Sequence, residues 1–278
     1  MPVDPAAVGR ECGPQRVSWS ARDAILYALG VGAGSDCALE ELAFTTETSP
    51  LRLQKVLPTF PLVIESGAEA IPIGSFDKGQ TVHGDQSLIL HEPLSPDGSA
   101  LATTSVEAIW DKGSGALVRY LTALRAEDGR LLAEHRAGVF IRGAGGFGGE
   151  SGPRFEWAVP TRLPDQIVEQ HTQENQALLY RLSGDRNPLH SDPPFARAAG
   201  FPRPILHGLC SFGFVARAVL AMAGHDPGRF KAMQARFRGP VFPGDTLRTE
   251  FWVDGGSMKF RSFVNDRLVL DAGEAEIG

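Results

Sequence analysis

Cysteine is nearly missing from this chain. Three occur in 278 residues, Cys12, Cys37 and Cys210, with no Cys-x-x-Cys pair. So sparse and odd a set excludes a disulfide framework and fits a reducing compartment. Long apolar runs are absent too, and none approaches the roughly 20 residues that span a bilayer. The start, "MPVDPAAVGRECGPQ", has neither a basic opening nor an apolar stretch, and "EAEIG" at the end is not a peroxisomal address. The expectation is therefore a cytoplasmic chain with no membrane partner. Basic excess is also lacking, since 27 Lys and Arg face 33 Asp and Glu, a formal charge of -6. That argues against nucleic acid, although a local basic patch for one phosphorylated ligand stays open. The seven histidines are scattered, with no HExxH or Cys-pair spacing, so no metal site is expected.

What is present is ordinary core-forming material, 42% hydrophobic and 22% charged, in a length that suits two domains or one large one. "SWSARDAILYALGVGAG" reads as a helix capped by Ser20, with Asp23 in its first turn and Gly30 to Gly34 as the stop. From about Ser99, "LATTSVEAIW", "ALVRYLTALRA" and "LLAEHRAGVFI" are strands separated by the turns "DKGSG" and "EDGR". The same rhythm returns in "LRTEFWV", "MKFRSFV" and "LVLDAGEAEI". In "LRTEFWV" the residues Leu247, Thr249, Phe251 and Val253 alternate with polar or aromatic neighbours, the pattern of half-buried antiparallel sheet.

Each half thus ends in a three-stranded meander. Ahead of the second lies "PILHGLCSFGFVARAVLAMAG", apolar nearly all round, with Pro204 placed for a first helical turn and Gly224 for a stop. A helix of that kind should be wrapped by sheet. The reading is α+β, a tandem (double) hot-dog fold: each half a curved antiparallel sheet, with the long central helix in the C-terminal half. Residues 1–142 form the N-terminal repeat. Residues 143–153 are a glycine-rich linker, and 154–278 are the C-terminal repeat. The linker's "GAGGFGG" is no dinucleotide fingerprint, because Pro153 and "RFEWAVP" follow it rather than a helix.

Chemistry concentrates in "YRLSGDRNPLH", Tyr180 to His190. "TQENQALLYRLSG" reads as a short helix capped by Thr172 and ended by Gly184, and Pro188 forbids its continuation. Asp185, Asn187 and His190 then share one loop between two helices. Singly, each has a plain reading as turn chemistry or filler. Together they put an acid, an amide and a titratable ring on a single bend.

"YRLSGDRNPLHSDPPFARAAGF" resembles the signature of the (R)-specific enoyl-CoA hydratases, the MaoC-like or type-2 hydratase family. "ILYALGVGAG", "LPTFPLVI", "VHGDQSLILHEPL", "DKGSG", "GGFGG", "PILHGLCSFGF" and "RFKAMQARFRGPVFPGDTLRTEFW" are similar, in order, to the hydratase domain of the peroxisomal multifunctional β-oxidation enzymes. The likeness implies addition of water to trans-2-enoyl-CoA to give (R)-3-hydroxyacyl-CoA, or the reverse dehydration, with no cofactor beyond the CoA of the substrate. It implies that Asp185 and His190 activate a water with Asn187 fixing the arrangement, and that the Gly208 N–H is an oxyanion donor. Reference pKa values of about 3.9 and about 6.5 suit a carboxylate and a neutral imidazole at neutral pH. His207 beside Gly208 either packs or reacts. His83, Gly84, Lys112, Arg186, Pro188, Leu189 and Phe237 fall at positions that contact substrate or CoA, and a homodimer is expected.

The likeness weakens in "EELAFTTETSP", Glu40 to Pro50, and at Arg186, where some relatives carry an aromatic. The first half also lacks a long apolar helix like that after Pro204, which leaves room for a bulky or long acyl group. Competing expectations are a 3-hydroxyacyl-acyl-carrier-protein dehydratase, a hot-dog thioesterase, and a non-catalytic acyl-CoA binder.

Overall fold

A computed structural model describes residues 2–36, 39–64, 67–154 and 156–278, so Cys37 and Phe155 of the stretches read above lie outside the described residues. The first half supplies β1 (Glu11–Trp19), β2 (Thr81–Leu90), β3 (Gly98–Asp111), β4 (Gly115–Arg125) and β5 (Leu131–Arg142). The second supplies β6 (Gln166–His171), β7 (Phe230–Phe237), β8 (Thr246–Asp254), β9 (Ser257–Val264) and β10 (Arg267–Ile277). All ten join one sheet in the order β1-β3-β4-β5-β2-β7-β10-β9-β8-β6. Read outward from the centre, the two sides follow the same plan. The second strand of each half lies at the seam, its meander next, and its first strand at the outer edge. This is the double hot-dog, and the seam is the antiparallel pairing of β2 with β7 from Asp85↔Arg236 to Ile89↔Ala232.

Helix α1 (Ala21–Gly30) begins with a complete capping box between Ser20 and Asp23, and Gly32 and Gly34 follow it at positive φ. Helix α2 (Leu42–Thr45) is a single turn. The second half adds α3 (Gln176–Tyr180), α4 (Pro193–Ala198) and α5 (Gly208–Met222). Every residue of α5 from Cys210 to Leu220 is buried. Each of its Phe, Val and Leu side chains contributes about 1.5–3 kcal/mol by leaving water. Among the described residues the first half has no counterpart of α5, because only α2 and short 3-10 turns are seen between α1 and β2.

Three local expectations need correction. Pro204 is not in the first turn of α5; the helix begins at Gly208, with His207 as its N-cap. Thr172 does not cap α3, which starts after Asn175. The Thr172 hydroxyl instead donates to the Asp245 carbonyl and accepts the Gly244 N–H, tying the approach to α3 down onto the β7–β8 connection. And β8 is buried on both faces, not half-buried. Trp252 packs under the incoming chain and donates to the Arg162 carbonyl, while Glu250 is held by Arg248 and Arg261.

Residues 143–153 form no helix or strand, yet they are tied to the first half. The Asp111 carboxylate accepts the N–H groups of Gly113, Gly146 and Gly148, which holds it below the usual carboxylate range. Lys112 donates to the Ser151 carbonyl.

One charge sits inside the apolar helix. Arg217 of α5 meets Glu41, just ahead of α2, with both side chains almost wholly buried. Its Nε lies 2.9 Å from Glu41 Oε1, and its Nη1 donates to the Val31 carbonyl. Burial alone would raise the Glu41 pKa, but the guanidinium and the Gly34 N–H more than offset that and hold it low. Glu41 therefore adds stability above its unfolded pKa of about 4.3, lost as pH falls through the lowered folded value. Removing one partner strands the other. We expect Glu41→Ala to lose about 3–5 kcal/mol in denaturant unfolding, and Glu41→Leu with Arg217→Met to recover most of it.

Candidate active site

The chain leaves α3 through a 3-10 turn at Arg181–Ser183, and Gly184 at φ 134 reverses it. α3 itself is fixed across the two halves. The Gln176 side-chain amide donates to the Gly30 carbonyl at 2.7 Å, and a Cβ at Gly30 would come within 3.3 Å of Tyr180 Cα. A side chain at Gly30 would push α1 and α3 apart by a few tenths of an ångström. Past Gly184 the loop is ordered by its own side chains. Asp185 Oδ1 accepts the Asn187 N–H, and Asn187 Oδ1 accepts the Leu189 N–H, both at 3.0 Å. Asn187 thereby caps the turn Pro188–His190.

That turn brings His190 back towards Asp185. The Asp185 side chain is about half exposed and His190 is buried, with Oδ2 and Nε2 3.9 Å apart. The distance is too long for a direct hydrogen bond and suits two groups that share one water. His190 Nδ1 lies 2.9 Å from the Ile205 carbonyl, which can only accept. The hydrogen is therefore on Nδ1, and Nε2 turns its lone pair towards the carboxylate. Burial lowers the His190 pKa, with the Ile205 carbonyl and Asp185 offsetting part of that.

A second imidazole lies against the first. The His207 ring stacks on His190 at 3.7 Å between centroids, with Tyr180 4.8 Å away. His207 Nε2 donates to the Asp185 carbonyl at 3.1 Å. Burial pushes its pKa well down, and the neighbouring His190 adds to this. Asp185, His190 and His207 each offer one ligand atom, and the three lie within 4.8 Å of one another. Two histidines separated by 16 residues thus share a site that their scatter along the sequence did not suggest.

Gly208 is the first residue of α5, so its N–H has no intrahelical partner and sits at the positive end of the helix. A Cβ there would meet the Phe237 ring at 3.1 Å, so the ring lies directly on the glycine. Phe237 in turn packs on His83 at 4.7 Å, which carries the site across the seam from β7 to β2. Burial lowers the His83 pKa, and the charges of Asp85 and Asp185 oppose it. Gly84 is the extra residue of a bulge between His83↔Val139 and Asp85↔Gly138. Lys112 lies at the β3–β4 turn, not in the loop cluster. Burial and the cations Arg236 and Arg119 lower its pKa. Arg186 and Pro188 are exposed on the loop, and Leu189 is half-buried behind it.

The structure therefore brings together Asp185, Asn187, His190, Gly208, Phe237 and His83. It also adds residues that sequence reasoning missed. Ile205 contributes its carbonyl, which has no sequence signal, while Tyr180, already the first residue of the quoted motif, contributes its ring face. Arg119 and Arg236 join Lys112 from separate strands.

Comparison with known proteins matches residues 17–143 to the MFE-2 hydratase 2 N-terminal domain and residues 157–271 to the MaoC like domain. The chain is 43% identical to 3-hydroxyacyl-thioester dehydratase Y of Mycobacterium tuberculosis, over 99% of both chains. It is 40% identical to the peroxisomal enoyl-CoA hydratase 2 of Arabidopsis thaliana, over 91% of this chain and 87% of that one. A crystal structure of a MaoC-like dehydratase from Phytophthora capsici superposes with a TM-score of 0.88 at 32% identity, covering 100% of this chain and 98% of that one.

Both rings of the stacked pair should titrate below the ordinary histidine value, His207 well below it. Proton-coupled NMR of the imidazoles is expected to place His190 below about 6.5, with His207 lower still. Because the unfolded chain then binds more protons than the folded one, these two groups make stability fall as pH drops below about 6.5. A normal titration of His190 would contradict the burial argument.

Proposed function

We propose that this chain, which belongs to the MaoC-like hydratase 2 family, adds water to trans-2-enoyl-CoA to give (R)-3-hydroxyacyl-CoA, and catalyses the reverse dehydration. The observation that carries the reading is the 3.9 Å gap between Asp185 Oδ2 and the His190 Nε2 lone pair, beside the bare first turn of α5. Asp185 and His190 hold one water between them. As its oxygen bonds to the β-carbon the double bond opens, the pair takes the water's proton, and the pair returns one proton to the α-carbon, so that H and OH have added across the bond. The negative charge that builds meanwhile on the thioester oxygen accepts a hydrogen bond from the Gly208 N–H. One such donor is worth about 10²–10³ in rate. His190, kept neutral by burial, is ready to accept a proton at neutral pH.

The acyl group goes towards the first half. An open cleft of about 500 Å³, lined by Arg16, Trp19, Asp23, Phe60 and Val63, reaches Leu182 and Gly184 at the start of the catalytic loop. That volume lies within the range of sites for drug-sized ligands and suits a bulky or long tail. The CoA phosphates fit the cationic group of Lys112, Arg119 and Arg236, with His83, Gly84 and Phe237 lining the way to the reacting carbons. Arg186, Pro188 and Leu189 flank the entrance. We read the three-ligand cluster as a water site, with no metal or cofactor. The protein is read as a cytoplasmic homodimer. No described helix is long and apolar enough to cross a membrane.

A second reading has its own support. A relative at 43% identity is named a 3-hydroxyacyl-thioester dehydratase, so the dehydration direction, on CoA or carrier-protein thioesters, uses the same residues.

The test is loss of enoyl-thioester absorbance over a panel of trans-2-enoyl-CoAs, chiral analysis of the product, and a thiol dye that would expose hydrolysis. We expect Asp185→Asn and His190→Ala each to fold normally and lose hydration by about 10³-fold or more. Near-normal turnover in either variant would sink the assigned pair. Long or bulky esters should outperform crotonyl-CoA. Val63→Trp should slow the long esters at least tenfold while leaving crotonyl-CoA within about twofold. Equal rates on short and long esters would remove the tail assignment.

A further inference from the structure

We propose that His207 is a positioning residue: it locks the Asp185 main chain and the His190 ring to each other, so that carboxylate and imidazole address one water. The inference rests on the reading of Asp185 and His190 above.

Three contacts carry it. His207 Nε2 donates to the Asp185 carbonyl at 3.1 Å, joining the start of α5 to a loop 22 residues earlier in the chain. Its ring stacks on His190 at 3.7 Å and 25° between planes, so His190 cannot tilt out of line with the carboxylate. Tyr180, itself fully buried, backs the same ring at 4.8 Å. The one side chain therefore touches both members of the pair and is braced from behind.

Packing alone does not account for an imidazole here. His207 is 1% exposed, and its Nδ1 is buried with no hydrogen-bond partner among the described residues. A phenyl or leucine side chain would fill that space without an unsatisfied acceptor. What an apolar ring cannot do is hold the Asp185 carbonyl. Apart from this bond, the exposed loop Gly184–Asn187 is ordered mainly by its own turn hydrogen bonds. A near-ångström drift of the carboxylate there would break the shared-water geometry.

Protonation is controlled as well. The groups facing His207 are His190 from the Pro188–His190 turn, Asp185 from the loop, and Tyr180 and Arg181 from the end of α3. Burial, His190 and Arg181 disfavour the charged ring, while Asp185 favours it. The ring stays neutral, its hydrogen stays on Nε2, and a proton delivered to the site goes to His190 instead.

The experiment compares His207→Phe, which keeps a stacked ring, with His207→Gln, which keeps a donor, in wild-type and Asp185→Asn backgrounds. Hydration of a long trans-2-enoyl-CoA is followed under single-turnover conditions where rates are low. We expect His207→Phe to melt no lower than the wild type by more than a few degrees, to keep KM within about threefold, and to lose kcat by about 10²-fold. His207→Gln should return to within about tenfold of wild type. In the Asp185→Asn background the same His207→Phe change should cost less than about threefold, because the carboxylate that it aligns is gone and only the His190 stack is left to lose. A kcat within threefold for His207→Phe, or an equal fractional loss in both backgrounds, overturns the proposal. Should His207→Phe not fold, His207→Leu is judged by the same criteria. A wild-type protein inert towards every enoyl thioester would refute the functional reading instead. Positioning is then decided by amide hydrogen exchange of residues 184–187, which His207→Phe raises at least tenfold if His207 holds the loop and leaves unchanged if it does not.

Discussion

Everything in this molecule depends on the pairing of β2 with β7. A hot-dog sheet cannot close on itself, and its inner edge strand needs a partner. Here each half supplies the other's, from Asp85↔Arg236 to Ile89↔Ala232, and two five-stranded sheets become one of ten. The seam settles more than stability. It sets His83 of β2 against Phe237 of β7, and Phe237 lies on the first residue of α5. No single half contains that row of contacts. The site is a product of the seam as much as of the loop beside it.

The division of labour around the loop follows from burial. The acid is half exposed, where it meets what comes from solvent, and the imidazole is buried, where its charge is disfavoured. Helix α5 contributes by its direction. An apolar helix wrapped by sheet must begin somewhere, and its unpaired first-turn N–H groups lie next to the ring stack. Its single charge is drained off at the far side by Glu41. That carboxylate comes from the stretch Glu40 to Pro50 in which the likeness to the family weakens, so local divergence in this chain has a specific structural partner.

Much of this was legible beforehand where the cause is local. The two meanders showed because turn residues punctuate alternating strands, and α1 showed because Ser20 and Asp23 form a capping box. The triplet of Asp185, Asn187 and His190 stood out because it falls within six residues. Where the cause is tertiary, the chain said little. Thr172 looks like a cap, and only the β7–β8 connection reassigns its hydroxyl. Pro204 looks like a helix start, yet α5 begins at Gly208, against which the Phe237 ring packs. Trp252 and Glu250 read as an outward face until the chain around Arg162 covers the tryptophan and arginines clasp the acid. His207 next to Gly208 carried no sign of its stack on His190, because 16 residues and a helix separate them in the chain.

The glycine-rich stretch after β5 bears on motion. A tether of that composition usually behaves as loose coil, whose span fluctuates with the square root of its length. In this protein one aspartate gathers its amides into a compact knot against the preceding hairpin. The slack is taken up before the second repeat begins. Two repeats moored so closely share one sheet across β2 and β7, and rocking apart would break that pairing. Ligand entry and exit then fall to side chains and short surface segments rather than to any opening of the halves.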